Sequence, residues 1–328
     1  MSEVERPTIE RVLFVQKSGV LEQQREQVKA AIAHCLPQAA VGFASCPEDL
    51  MAGASFDAVI APTLPELPDI LARVSGVKWI HFLSAGVEKI WDMPFDKQGV
   101  LLTKSSGVHG APMSEFAIGA MLFFAKQFNR FVAQSREHRW ERTWLQELTG
   151  QRLVVLGLGH IGQSLAQRAR AFGMTVTGTL RHPRPMEGVV DVRSQSEAGE
   201  LLAEADYVAV CLPLTDETRG FVNQELLAQL KPGAVLVDIS RGGVVRGDAV
   251  LNALDNGQLR GAALDVFEQQ PLPAHSPLWN RQDLLLTPHV SGTTPYYLER
   301  ALDIFARNAG AYLAGESLVT PVDVSAGY

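Results

Sequence analysis

Cysteine is scarce: Cys35, Cys46 and Cys211 are the only three in 328 residues, and they are scattered, odd in number and without metal-ligand spacing. That argues against a disulfide framework or a cysteine-held metal and leads to the expectation of reduced thiols in a cytoplasmic protein. No uninterrupted apolar stretch approaches the roughly 20 residues of a membrane span, and Met1-Ser2-Glu3-Val4-Glu5-Arg6 does not read as a signal peptide. The 29 Lys and Arg residues form no long block and the net charge is -7, so neither nucleic acid nor a membrane surface is an expected partner. Low-complexity segments and short-period repeats are missing too. What remains has the composition of an ordinary globular protein, long enough for about two domains with separate cores.

The chain is organised around Gly157-Leu158-Gly159-His160-Ile161-Gly162. An apolar run, Leu153 to Leu156, precedes this turn, and Ile161, Leu165, Ala169 and Phe172 follow at helical spacing. In a strand-turn-helix context the first glycine permits the tight turn, the second lets a pyrophosphate approach, and the third lets helix and strand pack closely. The helix N-terminus then faces the phosphates with unpaired N–H groups. Dinucleotide binding is the expectation, with a purely structural glycine turn as the plain alternative.

A second absence bears on the cofactor. The strand Met174 to Leu180 ends about 20 residues past the turn, where an NAD site usually offers a carboxylate to the ribose hydroxyls. Here Arg181-His182-Pro183-Arg184 follows, with no acid. Arginine suits a 2′-phosphate through charge-assisted bonds, so NADP(H) is the expected cofactor and NAD(H) a possible one. The bland reading is a solvated basic loop.

Further candidate strands at Val12–Val15, Asp57–Ala61, Trp79–Leu83 and Gly99–Thr103 suggest a small parallel α/β domain before the turn. Ser84-Ala85-Gly86-Val87, at the carboxyl end of one of them, is either a carboxylate-binding loop or a plain turn. Met113 to about Phe131 reads as one helix, apolar nearly all round, which needs cover from both domains or from a second subunit. The polar segment behind it, with Trp140 and Trp144, is expected on the outside. Strands at 207–212, 234–239, 261–266 and 284–287 complete six for the cofactor domain, and a last helix containing Leu298, Leu302 and Phe305 is expected back on the first domain.

Three polar residues each follow a buried strand: Arg241, Asp265 and His289. Arg241 has the fork to clamp a carboxylate, and His289 can exchange a proton with a hydroxyl or carbonyl oxygen. With a nicotinamide, this is the equipment of a 2-hydroxyacid dehydrogenase. Taken singly, Arg241 fits a structural ion pair, His289 a satisfied loop histidine, and Asp265 an acceptor of backbone N–H bonds or a contact to the nicotinamide amide. The remaining candidate cofactor contacts are Gly157, Gly159, His160, Ile161 and Gly162 in the turn, and Arg181, His182 and Arg184 in the basic loop. Leu212, Pro213, Thr218, Ile239, Ser240, Ser291 and Gly292 join them at strand ends, with Arg241, Asp265 and His289.

The glycine turn, Asp238-Ile239-Ser240-Arg241-Gly242-Gly243, the run Gly261 to Pro273 and Thr287-Pro288-His289-Val290 resemble the D-isomer-specific 2-hydroxyacid dehydrogenases, most of all their glyoxylate/hydroxypyruvate reductase branch. The resemblance spans about residues 75 to 320. It implies an α/β fold of two doubly wound parallel-sheet domains: a flavodoxin-like substrate domain, 1–103 plus 290–328, and a Rossmann cofactor domain, 104–289. It implies that Arg241 binds the substrate carboxylate and keto oxygen, that His289 is the acid/base, and that Ala85 and Gly86 give backbone donors to the carboxylate. It further implies Asp265 near the nicotinamide and a homodimer through the cofactor domain.

One departure matters. The family usually has glutamate paired with the histidine, and this chain has Gln270. A neutral amide orients the ring but does not stabilise the imidazolium, so reduction is expected to fall off at lower pH than in glutamate-bearing relatives. Glu268 is a candidate substitute. Formate dehydrogenases, similar to the same superfamily, carry glutamine there and move no proton, which makes formate oxidation an alternative. A nucleotide-sensing module on the same fold is another.

Overall fold

The computed structural model describes residues 8–322, and their contacts divide the chain into two compact units. One runs through Val108 and resumes at Thr294; the other is His109–Thr293.

In the first unit, β1 (Arg11–Val15) leads through α1 (Ser18–Cys35) to β2 (Ala40–Ala44), a strand with no clear signal in the sequence. Then come β3 (Ala54–Ser55), β4 (Ala58–Ala61), α2 (Leu67–Leu71), β5 (Val74–Ser75), β6 (Trp79–Phe82) and β7 (Leu101–Lys104). Five strands form a parallel sheet in the order β2-β1-β4-β6-β7, while β3 and β5 make a small separate pair. Every residue of β4 and β6 is buried, because a parallel sheet is covered on both faces and its strands read as apolar runs. His81 is fully buried within this sheet, held by Thr103 Oγ1 at 2.7 Å and Ser105 Oγ at 3.1 Å. Burial brings its pKa down to about 3, so it is a neutral core histidine. Ser105 N–H also donates to the Phe82 and Ser84 carbonyls, which keeps the loop after β7 with this sheet.

The second unit opens with α3 (Gly110–Ala125) and α4 (Phe128–Arg136). They are two helices rather than the single one expected, because Gln127 turns into the left-handed region at φ 49° and ends the first. The apolar face of α3 is covered inside its own unit, where Ala117, Met121 and Phe124 pack in one core with Leu165 and Ala169. There follow β8 (Arg152–Leu156), α5 (His160–Ala171), β9 (Thr175–Thr179), β10 (Val192–Arg193), α6 (Ala198–Leu202), β11 (Tyr207–Val210) and α7 (Gln224–Leu227). β12 (Ala234–Asp238), α8 (Gly247–Asp255), β13 (Leu259–Leu264) and β14 (Leu284–Leu286) complete the unit. Seven parallel strands lie in the order β10-β9-β8-β11-β12-β13-β14, so the chain reverses direction across the sheet at β8. That is the switch point at which open α/β sheets take ligands. Leu165 and Ala169 of α5 are buried, whereas Phe172, at the helix C-cap, is exposed.

Last, α9 (Tyr297–Ala314) returns to the first unit, where Phe305 stacks on Trp79 with centroids 4.7 Å apart. Among the described residues no helix is long and apolar enough to cross a membrane.

Candidate active site

The glycine turn occupies the switch point at the carboxyl end of β8. Gly157 sits at φ 100°, and a Cβ there would lie 3.0 Å from the Cys211 backbone. At Gly162 a Cβ would collide with the Gly157 carbonyl oxygen. Gly159 differs: a Cβ built on it meets nothing within 4 Å, so the middle of the turn opens onto free space. A backbone cradle with room above it, at the start of a helix with no acidic residue in its first turn, fits a dinucleotide pyrophosphate. His160 is exposed and Ile161 half-buried at this helix start.

Arg181, His182 and Arg184 are exposed on the loop after β9, and Arg181 Nη2 lies 3.4 Å from Glu217 Oε1. On the loop after β11, Leu212 and Thr218 are buried. The Thr218 hydroxyl donates to the Pro213 carbonyl at 2.6 Å, so it shapes the loop from within.

Behind Arg241, Ile239 and Ser240 are buried. The Ser240 N–H and hydroxyl both donate to Asp238 Oδ1, at 3.0 and 2.5 Å. Arg241 is half-buried and donates through Nη1 to the Ser240 carbonyl at 2.9 Å; no acidic partner engages it among the described residues. Burial pushes Asp238 up to about 7; the Ser240 hydrogen bonds oppose this and the nearby Asp265 adds to it. A folded carboxyl above its ordinary 3.8 favours the folded state while protonated, so this contribution is lost as pH rises from about 4 through 7. Asp238→Asn keeps an oxygen for Ser240 and removes the buried charge. Thermal melts should show a larger gain in Tm near pH 8 than near pH 5; equal gains at both would contradict the burial account.

Asp265, fully buried at the end of β13, organises the loop that carries His289. Its Oδ1 accepts from the Thr287 hydroxyl at 2.6 Å and Val290 N–H at 2.9 Å, and its Oδ2 from Ser291 N–H at 2.9 Å. Its main-chain carbonyl accepts from His289 N–H at 2.9 Å. The carboxylate therefore accepts backbone N–H bonds, the first of the two roles open from sequence. His289 itself is exposed at φ 55°. Its Nδ1 lies 3.0 Å from Gln270 Oε1, while Gln270 Nε2 donates to the Phe267 carbonyl at 3.2 Å. The Phe267 bond orients the amide so that its oxygen faces the ring, which makes Nδ1 the donor and leaves Nε2 for a ligand. Glu268 is no substitute for a paired acid: it faces Arg246, at 3.5 Å.

One residue of this region gave no clear signal. His109, at the start of α3, packs against Gly292 so closely that a Cβ there would lie 2.8 Å from its Nδ1. Burial holds its imidazole below the usual range; a hydrogen bond with the Gly292 backbone opposes that, and the positive fields of Arg241 and His289 add to it. His109 therefore neighbours the two candidate catalytic residues from a part of the chain far away in sequence. Ala85 and Gly86 lie in the first unit, on the loop after β6. Among the described residues, no group of three or more His, Cys, Asp or Glu side chains is placed to hold a metal.

Comparison with known proteins gives the family. Residues 118–291 match the family model of the D-isomer specific 2-hydroxyacid dehydrogenase, NAD binding domain. A glyoxylate/hydroxypyruvate reductase A from Photorhabdus laumondii is 31% identical over 266 residues, 79% of this chain and 84% of that protein. The crystal structure of an NADPH-dependent glyoxylate/hydroxypyruvate reductase from Sinorhizobium meliloti, in complex with NADP and sulfate, is similar with a TM-score of 0.80 at 27% identity, covering 97% of this chain and 100% of that one. A D-isomer specific 2-hydroxyacid dehydrogenase from Xanthobacter autotrophicus, in complex with NADPH, is similar with a TM-score of 0.80 at 30% identity, covering 97% and 99%.

Proposed function

The chain belongs to the D-isomer specific 2-hydroxyacid dehydrogenase family and is an NAD(P)-dependent oxidoreductase, and we propose that it reduces short 2-ketoacids such as glyoxylate or hydroxypyruvate with NADPH. The observation that carries this reading is the oriented His289: its Nδ1 faces the Gln270 oxygen, so its Nε2 serves the substrate. Gly157, Gly159 and Gly162 would hold the pyrophosphate, with Arg181 and its neighbours His182 and Arg184 at the 2′-phosphate. When bound, the nicotinamide cofactor supplies the hydride. Arg241 clamps the carboxylate and polarises the keto oxygen, and His289 delivers the proton to that oxygen. Ala85 and Gly86 remain the proposed backbone donors to a carboxylate.

NADPH and NADH consumption, followed by absorbance against a panel of 2-ketoacids, tests the reading. Turnover of glyoxylate or hydroxypyruvate with NADPH is the expected result, and none with any ketoacid would sink it. Gln270→Glu sharpens the test. A carboxylate beside His289 stabilises the imidazolium, so the alkaline limb of the reduction profile should move to higher pH by about one unit. An unmoved profile would remove Gln270 from the account. Gln270 is also what favours a second reading, formate oxidation, which needs no acid; formate-dependent reduction of NADP in the same assay would decide for it.

The exposed face of α4 and the segment after it support a homodimer through this unit. Phe128 and Val132 are about half exposed, and Trp140 and Trp144 are 96% and 95% exposed, which is unusual for the largest apolar side chain. Light scattering should give twice the 35.7 kDa chain mass, falling to one chain in the Trp140→Ser, Trp144→Ser double variant. A wild type already at one chain mass would refute the assignment. Three free cysteines support a reducing, cytoplasmic location, which cell fractionation checks.

A further inference from the structure

We propose that Glu217 is a specificity-determining residue: it competes with the cofactor's 2′-phosphate for Arg181 and so sets how far NADPH is preferred over NADH. This rests on the NADPH reading above and adds a residue from a different loop. The strands β9, β8 and β11 are consecutive in the sheet. At about 4.8 Å per strand spacing, the loops after β9 and β11 flank the glycine turn after β8 on either side. Arg181 comes from one flank and Glu217 from the other, and they meet at 3.4 Å. The ion pair therefore spans the carboxyl edge of β8, where the turn receives the dinucleotide.

The two partners are not equally held. Glu217 stands in a turn stapled by its neighbours: Thr215 N–H donates to Thr218 Oγ1 at 2.8 Å, and Arg219 N–H to the Thr215 carbonyl at 2.9 Å. Arg181 lies on a stretch with neither helix nor strand. The stapled turn keeps the Glu217 backbone at the flank of the glycine turn while the arginine side chain exchanges partners. Both side chains are more than half exposed, so the pair is weak and a phosphate carrying nearly two negative charges displaces the carboxylate. Released from the pair, Glu217 would still stand on the loop that flanks the glycine turn, within reach of the ribose of a bound dinucleotide. It repels the 2′-phosphate of NADPH, but for NADH it is an acceptor for the 2′-hydroxyl, the carboxylate that the end of β9 lacks. One residue then acts in opposite senses on the two cofactors.

The test is direct binding of NADPH and of NADH, by titration of nicotinamide fluorescence, to the full chain and to Glu217→Gln, Asp216→Asn, Arg181→Ala and the Arg181→Ala, Glu217→Gln double variant. Asp216 is exposed on the same turn, so Asp216→Asn makes the same change of charge without touching the pair. Glu217→Gln should tighten NADPH about three- to tenfold and leave NADH equal or weaker, an effect that shrinks at high salt. Asp216→Asn should leave the ratio of the two Kd values within about twofold, and the Glu217 effect should shrink without Arg181, because the competition for the arginine is lost and only the direct action of the carboxylate on the ribose substituent remains. An unchanged ratio in Glu217→Gln, equal tightening of both cofactors, or an equal shift in Asp216→Asn would each overturn the proposal. Failure of the underlying NADPH reading looks different: Arg181→Ala would then weaken both cofactors equally or neither.

Discussion

His289→Asn is expected to lower kcat for 2-ketoacid reduction by about three orders of magnitude while leaving the Kd for NADPH nearly unchanged. Asparagine is chosen for the backbone. Position 289 sits at φ 55°, where asparagine is among the residues best tolerated, and its N–H still donates to the Asp265 and Thr287 carbonyls. The side-chain amide also retains a donor for Gln270. What disappears is the titrating nitrogen, so any loss beyond about tenfold reports proton transfer rather than a collapsed loop. Steady-state kinetics with saturating NADPH, paired with a fluorescence titration, separates the two. A kcat within tenfold of the wild type would mean that His289 is not the proton donor and that another group protonates the keto oxygen.

The parts of this site that were legible in the sequence are those whose chemistry is tied to a local pattern. The glycine turn was readable because strand, spacing and helix stand within a few residues of one another, and Arg241, Asp265 and His289 because each follows a buried apolar run. Contacts between distant segments were not readable. His109 packs on Gly292 from the start of α3, and no pattern around Val108-His109-Gly110 announces it. The missing carboxylate after β9 was visible as an absence, but its replacement by Glu217 depends on β9 and β11 lying on either side of β8. Glu268 stood two residues from Gln270, yet backbone direction sends it to Arg246. Likewise the apolar length from Met113 to Phe131 concealed a left-handed residue at Gln127, since hydrophobic content says nothing of φ.

Asp265→Ala should be the most damaging single change to the cofactor unit outside its glycine turn. The carboxylate is fully buried and takes three donors, the Thr287 hydroxyl and the Val290 and Ser291 N–H groups. Removing it leaves those donors without an acceptor, at about 1–3 kcal/mol for each. Water entering the vacated space would recover part, so a loss of about 3–5 kcal/mol is expected in urea unfolding. The same three bonds shape residues 287–291, so His289 should be displaced and kcat should fall by at least about 100-fold. Asp265→Asn separates charge from shape. It keeps one oxygen for Thr287 and Val290 but sets an NH₂ group against the Ser291 N–H, so it should fall between the wild type and alanine on both measurements. If alanine abolished turnover with an unchanged unfolding midpoint, Asp265 would act on the nicotinamide instead of holding the loop, and the second role left open from sequence would be the right one.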